Sequence, residues 1–97
     1  MHLLQIEHRI KDFDTWKGAF DRFSGLRQQS GVRRHRVLQP TDDSNYVIID
    51  LEFGSLSEAE TFLTALRRKV WSSREAAPAL IGEPQTRVVE AVEIKEY

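Results

Sequence analysis

"YVIIDLEF", Tyr46–Phe53, alternates with a period of two: Val47, Ile49, Leu51 and Phe53 are all apolar, while Tyr46, Ile48, Asp50 and Glu52 are mixed. That is the pattern of a strand with one face in a core and one face outside it. "HLLQIEHRI", residues 2–10, is a second strand. Its even positions, His2, Leu4, Ile6, His8 and Ile10, are more apolar than its odd ones, Leu3, Gln5, Glu7 and Arg9. The even set therefore shares the core side with Val47, Ile49, Leu51 and Phe53, which puts His8 on that side.

Between these strands, Phe13, Trp16, Phe20, Phe23 and Leu26 fall on one face of a helix. Asp12 is positioned to cap it and Asp14 adds charge favoured in its first turn. Gln29-Ser30-Gly31 ends it, with Gly31 as the left-handed residue. "VRRHRVLQ", 32–39, reads as a strand at a sheet edge, and "PTDDSN" as a turn. After Phe53, Ser57-Glu58-Ala59-Glu60 fits a capping box. It opens a second helix with Ala59, Phe62, Leu63, Leu66 and Val70 on one face and Arg67, Arg68 and Lys69 at its end. Ser72-Ser73 starts a helical turn through Ala77. Pro78 and Gly82-Glu83-Pro84 interrupt the chain before a last strand over 85–97. The order βαββαβ predicts an α+β, ferredoxin-like domain spanning 1–97: a four-stranded antiparallel sheet with two helices on one face.

The chain has 97 residues, 40% of them apolar and 30% charged, with a net charge of −1 and no cysteine. These values fit a folded soluble domain. They give no global field for nucleic acid or an anionic membrane, and they exclude disulfides, thiolate chemistry and Cys-based zinc sites. No apolar run approaches the roughly 20 residues of a membrane span, and no signal-peptide pattern is present, so a cytoplasmic location is expected. A core this short buries only about 60% of the unfolded surface. Leu3, Tyr46 and Ile48 leave the outer sheet face too apolar for plain solvent, while Glu7, Arg9, Asp50 and Glu52 leave it too polar for a dry core. A two-fold contact with a second copy, a homodimer, suits such a face.

The chain resembles the small dimeric α/β-barrel proteins, the superfamily that includes the antibiotic-biosynthesis monooxygenases, and within it the uncharacterised members. The resemblance runs through "EHRIKDFDTWKGAFD", "GVRRHRVLQPTDDSNYVIIDLEF", "SLSEAETFL" and "ALIGEPQTRVVEAVE". It implies two sheets facing each other across a dimer axis and, in each subunit, a ligand cavity between helices and sheet. Some enzymes of the superfamily oxidise polyketide quinols and others cleave haem. The haem branch uses an Asn on strand one with a Trp and a His on and after helix two. Trp71 matches that Trp, but strand one has Gln5 instead of Asn and no His follows Trp71. The pattern of the haem branch is therefore not met.

His8 is the candidate catalytic residue, a general base or a hydrogen-bond partner for a ligand phenol. With it, Trp16, Phe20, Phe62, Leu66 and Trp71 are the expected pocket residues, Trp71 at its mouth. The competing structural readings are a strand-end histidine bonded to backbone and an aromatic stripe that only fills the core. His35, between Arg34 and Arg36, is expected in solvent. Arg27, Arg33, Arg34 and Arg36 form a basic cluster read as a solvated edge that discourages wrong strand pairing. His2 and His8 are about 20 Å apart along an extended strand and share no ion, so no metal site is expected, and no cofactor. An RNA-binding sheet would carry aromatics on strand one, where there are none. A metal chaperone would need CxxC, and a phosphate loop would need clustered glycines. The expected function is binding of a small apolar or aromatic molecule, with a cofactor-independent monooxygenase or cyclase acting on a quinol or polyketide-like substrate as the alternative.

Overall fold

β1 (His2–Ile10) and β3 (Tyr46–Phe53) lie side by side at the centre of an antiparallel sheet. The computed structural model describes residues 1–97. β2 (Arg34–Leu38) and β4 (Leu80–Glu90) are the edges, giving the order β2-β3-β1-β4. α1 (Phe13–Arg22), α2 (Ser24–Gln29) and α3 (Leu56–Ala65) pack on one face. This is the ferredoxin-like α+β fold that the order of elements predicts.

The register explains the core. Leu4 stands opposite Leu51, Ile6 opposite Ile49 and His8 opposite Val47. The even positions of β1 and the odd positions of β3 therefore share the helix-covered face, and Leu4, Ile10, Val47, Leu51 and Phe53 are fully buried. Both central strands have the boundaries read from the sequence, because their alternation is unbroken from end to end.

The first helix differs from the sequence reading. It breaks at Phe23 (φ −98°, ψ 16°), and α2 begins at Ser24. Ser24 and Gly25 are weaker helix formers than their neighbours, and the Arg27 guanidinium takes up the Phe20 carbonyl that a continuous helix would use. Asp12 caps α1, its carboxylate accepting from the Thr15 N–H at 2.7 Å. Gly31 has φ +93°, and a Cβ there would collide with the Glu58 carboxylate.

The capping box is also displaced. Ser55, not Ser57, caps α3: its Oγ accepts from the Glu58 N–H at 3.2 Å and donates to the Glu58 carboxylate at 3.2 Å. Two overlapping S-x-x-E patterns occur at 55–58 and 57–60, and Ser55 is the one left extended as the chain comes off β3. A tertiary boundary chose between two equal local signals. β2 is shorter than 32–39, and Ser73 starts hydrogen-bonded turns but no helix.

The last strand is shifted most. β4 includes Gly82-Glu83-Pro84, and residues 91–97 leave the sheet. Glu7 pairs with Gln85 but Arg9 pairs with Ile81, so the three supposed breakers form an irregularity opposite His8. Gly82 takes φ +73° there, and Pro84 is tolerated because β4 is an edge. The strand ends near Ala91, whose N–H reaches the Met1 carbonyl, because β1 offers no partner beyond that point.

On the open face, Arg36 pairs with Asp50 at 2.8 Å and Arg34 with Glu52 at 2.9 Å, while the Tyr46 hydroxyl donates to Glu7 at 2.7 Å. The arginines of β2 are therefore engaged with acids of β3 and are not a purely solvated edge.

Replacing Ser55 by Ala should cost about 1 kcal/mol of unfolding free energy, as for other N-cap hydroxyls. Ser57→Ala should stay within about 0.5 kcal/mol of wild type, as exposed sites do. Urea unfolding of the two variants checks the assignment, and the reverse order would restore the cap at Ser57.

Candidate functional site

A cavity opens between the helices and the sheet, and all six residues expected at a pocket, His8, Trp16, Phe20, Phe62, Leu66 and Trp71, line it. Helix periodicity brings Trp16 and Phe20 from α1, and Phe62 from α3, onto the sheet. The alternation of β1 brings His8 up to meet them. The His8 and Trp16 ring centroids are 6.4 Å apart in an edge-on arrangement, and Trp16 stacks on Phe20 at 4.9 Å. The cavity volume is about 70 Å³. Pockets for drug-sized ligands usually start near 300 Å³, so a large ligand requires the walls to move.

His8 is nearly buried and sits at the irregularity in the β1–β4 ladder, where no β4 residue is paired with it. Its Nδ1 lies 2.9 Å from the Arg9 carbonyl oxygen. As a carbonyl only accepts, Nδ1 carries the hydrogen and Nε2 keeps the lone pair. Burial pulls the pKa of His8 below its ordinary value, and the bond to the Arg9 carbonyl offsets only part of this. The backbone-bonded reading of His8 and the pocket reading thus both describe it: one nitrogen anchors the ring, and the ring lines the cavity.

Trp71 is half-buried and follows a π-helical turn, Leu66–Val70, in which the Trp71 N–H reaches the Leu66 carbonyl at 2.8 Å. Turns of this type frequently mark functional sites, because the extra residue redirects the side chains that follow it. From Trp71 the wall continues through Ala76, Ala77 and Ala79, held to β1 by the Lys11 N–H donating to the Ala79 carbonyl at 2.8 Å.

The residue that sequence reasoning missed is Arg27. Grouped with the basic edge, it is instead 7% exposed and lines the cavity, the one charged side chain that does so. Its Nη1 donates to the Phe20 carbonyl at 2.7 Å, and its Cζ lies 3.7 Å from the centre of the Phe20 ring. Burial lowers its pKa. A signal was present: Phe20, Phe23 and Arg27 fall at i, i+3 and i+7, the spacing of one helical face. His35, exposed as expected, sets its ring edge-on against the outer side of Phe20 at 5.2 Å. Burial, Arg27 and Lys17 all lower its pKa.

No sequence-family model matches the chain, and no curated protein matches it in sequence. Solved structures do. SnoaB, a cofactor-independent oxygenase from Streptomyces nogalater, superposes with a TM-score of 0.71 at 16% identity, over 96% of this chain and 94% of its own. An antibiotic biosynthesis monooxygenase gives 0.69 at 11% identity, over 96% and 100%. A dimeric ferredoxin-like protein from an uncultured marine organism gives 0.63 at 9% identity, over 100% of both chains.

Unfolded, His8 would titrate near its ordinary pKa of about 6.5. Its folded pKa is lower, so its contribution to stability is complete above that value and is lost as pH falls through the folded pKa. His8→Gln should therefore flatten the fall in urea midpoint between neutral and mildly acidic pH, leaving a smaller slope from His35. Equal slopes for wild type and variant would show that His8 is not held neutral. Across nearly the full length of the chain, at identities that carry likeness of architecture alone, this protein has the fold of the antibiotic-biosynthesis-monooxygenase-like structures.

Proposed function

We propose that this protein binds a small, mainly apolar or aromatic molecule between its helices and its sheet, and does so as a homodimer. The observation that carries the reading is the lining of the cavity: aromatic and aliphatic side chains surround two polar ones, His8 and Arg27. Binding pockets are typically apolar with a few placed polar groups. Ligand entry would displace Trp71 and the 71–79 segment, the wall with the least regular backbone hydrogen bonding.

The homodimer would use the open sheet face. Leu3, Ile48 and Val89 lie on it among charged groups, and one oxygen of the nearly buried Asp50 has no hydrogen-bond partner within the chain. An unpaired buried carboxylate oxygen costs free energy, and a second copy is a source of donors.

A second reading, a cofactor-independent monooxygenase or cyclase, draws on the neutral His8. An imidazole anchored through Nδ1 has a free Nε2 to accept the O–H proton of a quinol, giving a phenolate, or the C–H proton of an anthrone, giving its enolate, and either anion is electron-rich enough to react with dioxygen. The likeness of fold to SnoaB is consistent with it.

Anthrone serves as the probe for both readings. It should quench Trp fluorescence, and Ala19→Leu, which fills the cavity from α1, should weaken the effect at least about tenfold while leaving the fold intact. Unchanged quenching in that variant would place binding elsewhere. Oxygen uptake by wild type that is lost in His8→Ala would establish the enzyme. No uptake above buffer in either would remove the enzyme reading for this substrate class. Light scattering should give twice the chain mass, and Ile48→Arg should reduce it to one.

A further inference from the structure

Arg27 poses a problem that the proposed apolar ligand does not solve. A guanidinium remains charged at any ordinary pH, and burying a charge is costly unless an opposite charge or a full set of hydrogen bonds meets it. Arg27 is 7% exposed. The ion pairs of the chain are Lys17–Asp21, Arg34–Glu52 and Arg36–Asp50, and none includes it. Asp21 acts on it only from a distance and is held by Lys17 at 2.6 Å. Of the five N–H groups of a guanidinium, one is committed, to the Phe20 carbonyl.

The uncommitted N–H groups are not sealed in the core, as no Arg27 nitrogen is both fully buried and unpartnered, so they are open to an incoming acceptor. His35 approaches the same ring from β2, and Lys17 lies near enough to disfavour its protonation. The one carboxylate acting on this end of the cavity is Asp21, and it is already paired with Lys17, so Arg27 has no anion of its own. The stacking is informative too. With Cζ 3.7 Å from the Phe20 ring centre, the planar group is held by its face. A guanidinium held this way keeps its N–H edges for a planar acceptor, and a carboxylate is the acceptor that fits two parallel N–H groups.

The polar groups also have an order. His8 touches Trp16, Trp16 stacks on Phe20, and Arg27 lies over Phe20. The neutral base and the cation thus stand at the two ends of one run of aromatic contacts. We propose that the molecule bound here is an aromatic acid, its ring against Trp16 and Phe20 and its carboxylate paired with Arg27. This rests on the ligand-binding reading above and narrows it: the cavity selects for an anion as well as for a ring.

Matched probes test it. Benzoate and naphthoate are each compared with the neutral alcohol of the same ring, benzyl alcohol and naphthalenemethanol, by calorimetry and by NMR at neutral pH. Wild type should bind each acid at least about tenfold more tightly than its alcohol, a modest value for a charge pair out of water. Arg27→Gln should abolish the preference, bringing the ratio of acid to alcohol affinity to about one, and Arg27→Lys should retain part of it. Should Arg27→Gln fail to fold, the wild-type side-chain N–H resonance of Arg27 decides: it should shift with benzoate and not with benzyl alcohol. Equal affinity for acid and alcohol, or an acid preference that survives in Arg27→Gln, overturns the anion site and leaves the apolar pocket standing. Binding of neither probe pair overturns both.

Discussion

Leu4 opposite Leu51, Ile6 opposite Ile49 and His8 opposite Val47 are consecutive steps of one ladder, and the remaining structure depends on that register. Side chains alternate along a strand, so a slip of one residue between β1 and β3 would send the apolar set of one strand to the wrong face. It would also remove His8 from Trp16. Burial of Val47, Ile49, Leu51 and Phe53 together with Leu4, Ile6 and Ile10 makes such a slip prohibitive. The face on which His8 stands is thus set by the hydrophobic core, and its bond to the Arg9 carbonyl then fixes the ring.

The irregular features of the backbone gather around the cavity. α1 breaks at Phe23, next to the point where Arg27 of α2 lies over Phe20. The interruption at Gly82-Glu83-Pro84 lies opposite His8 and leaves that residue outside the β1–β4 ladder. The π-helical turn over Leu66–Val70 ends α3 and delivers Trp71. Each is a departure from regular periodicity that adjoins a group lining the cavity, Arg27, His8 or Trp71. Bulges and π-turns are common beside functional sites.

The two faces of the sheet solve different problems. Under the helices the side chains are almost wholly apolar, so His8 and Arg27 stand out as the groups with chemistry. On the open face, acids of β3 meet arginines of β2 within one chain, at Arg36–Asp50 and Arg34–Glu52. Those acids are consequently less available to Arg9, and any contact with a second copy would draw on Leu3, Ile48 and the unpaired Asp50 oxygen more than on new ion pairs.

Much of this was legible in the amino-acid order. The boundaries of β1 and β3, the Asp12 cap, the left-handed Gly31 and the meeting of His8 with Trp16 and Phe20 all follow from periodicity or from a residue type that has one local solution. Other features were decided only when distant parts of the chain met. Ser55 and Ser57 offer the same capping pattern, and where β3 ends selects between them. Gly82 and Pro84 are breakers in isolation, yet an edge position lets the sheet absorb them. Arg27 is a surface residue by type and becomes part of the cavity wall because the Phe20 ring and carbonyl hold its guanidinium there. Local sequence determines what a residue can do with its neighbours along the chain, whereas burial, and with it the behaviour of a charge, is set by whatever the fold brings against that residue from elsewhere.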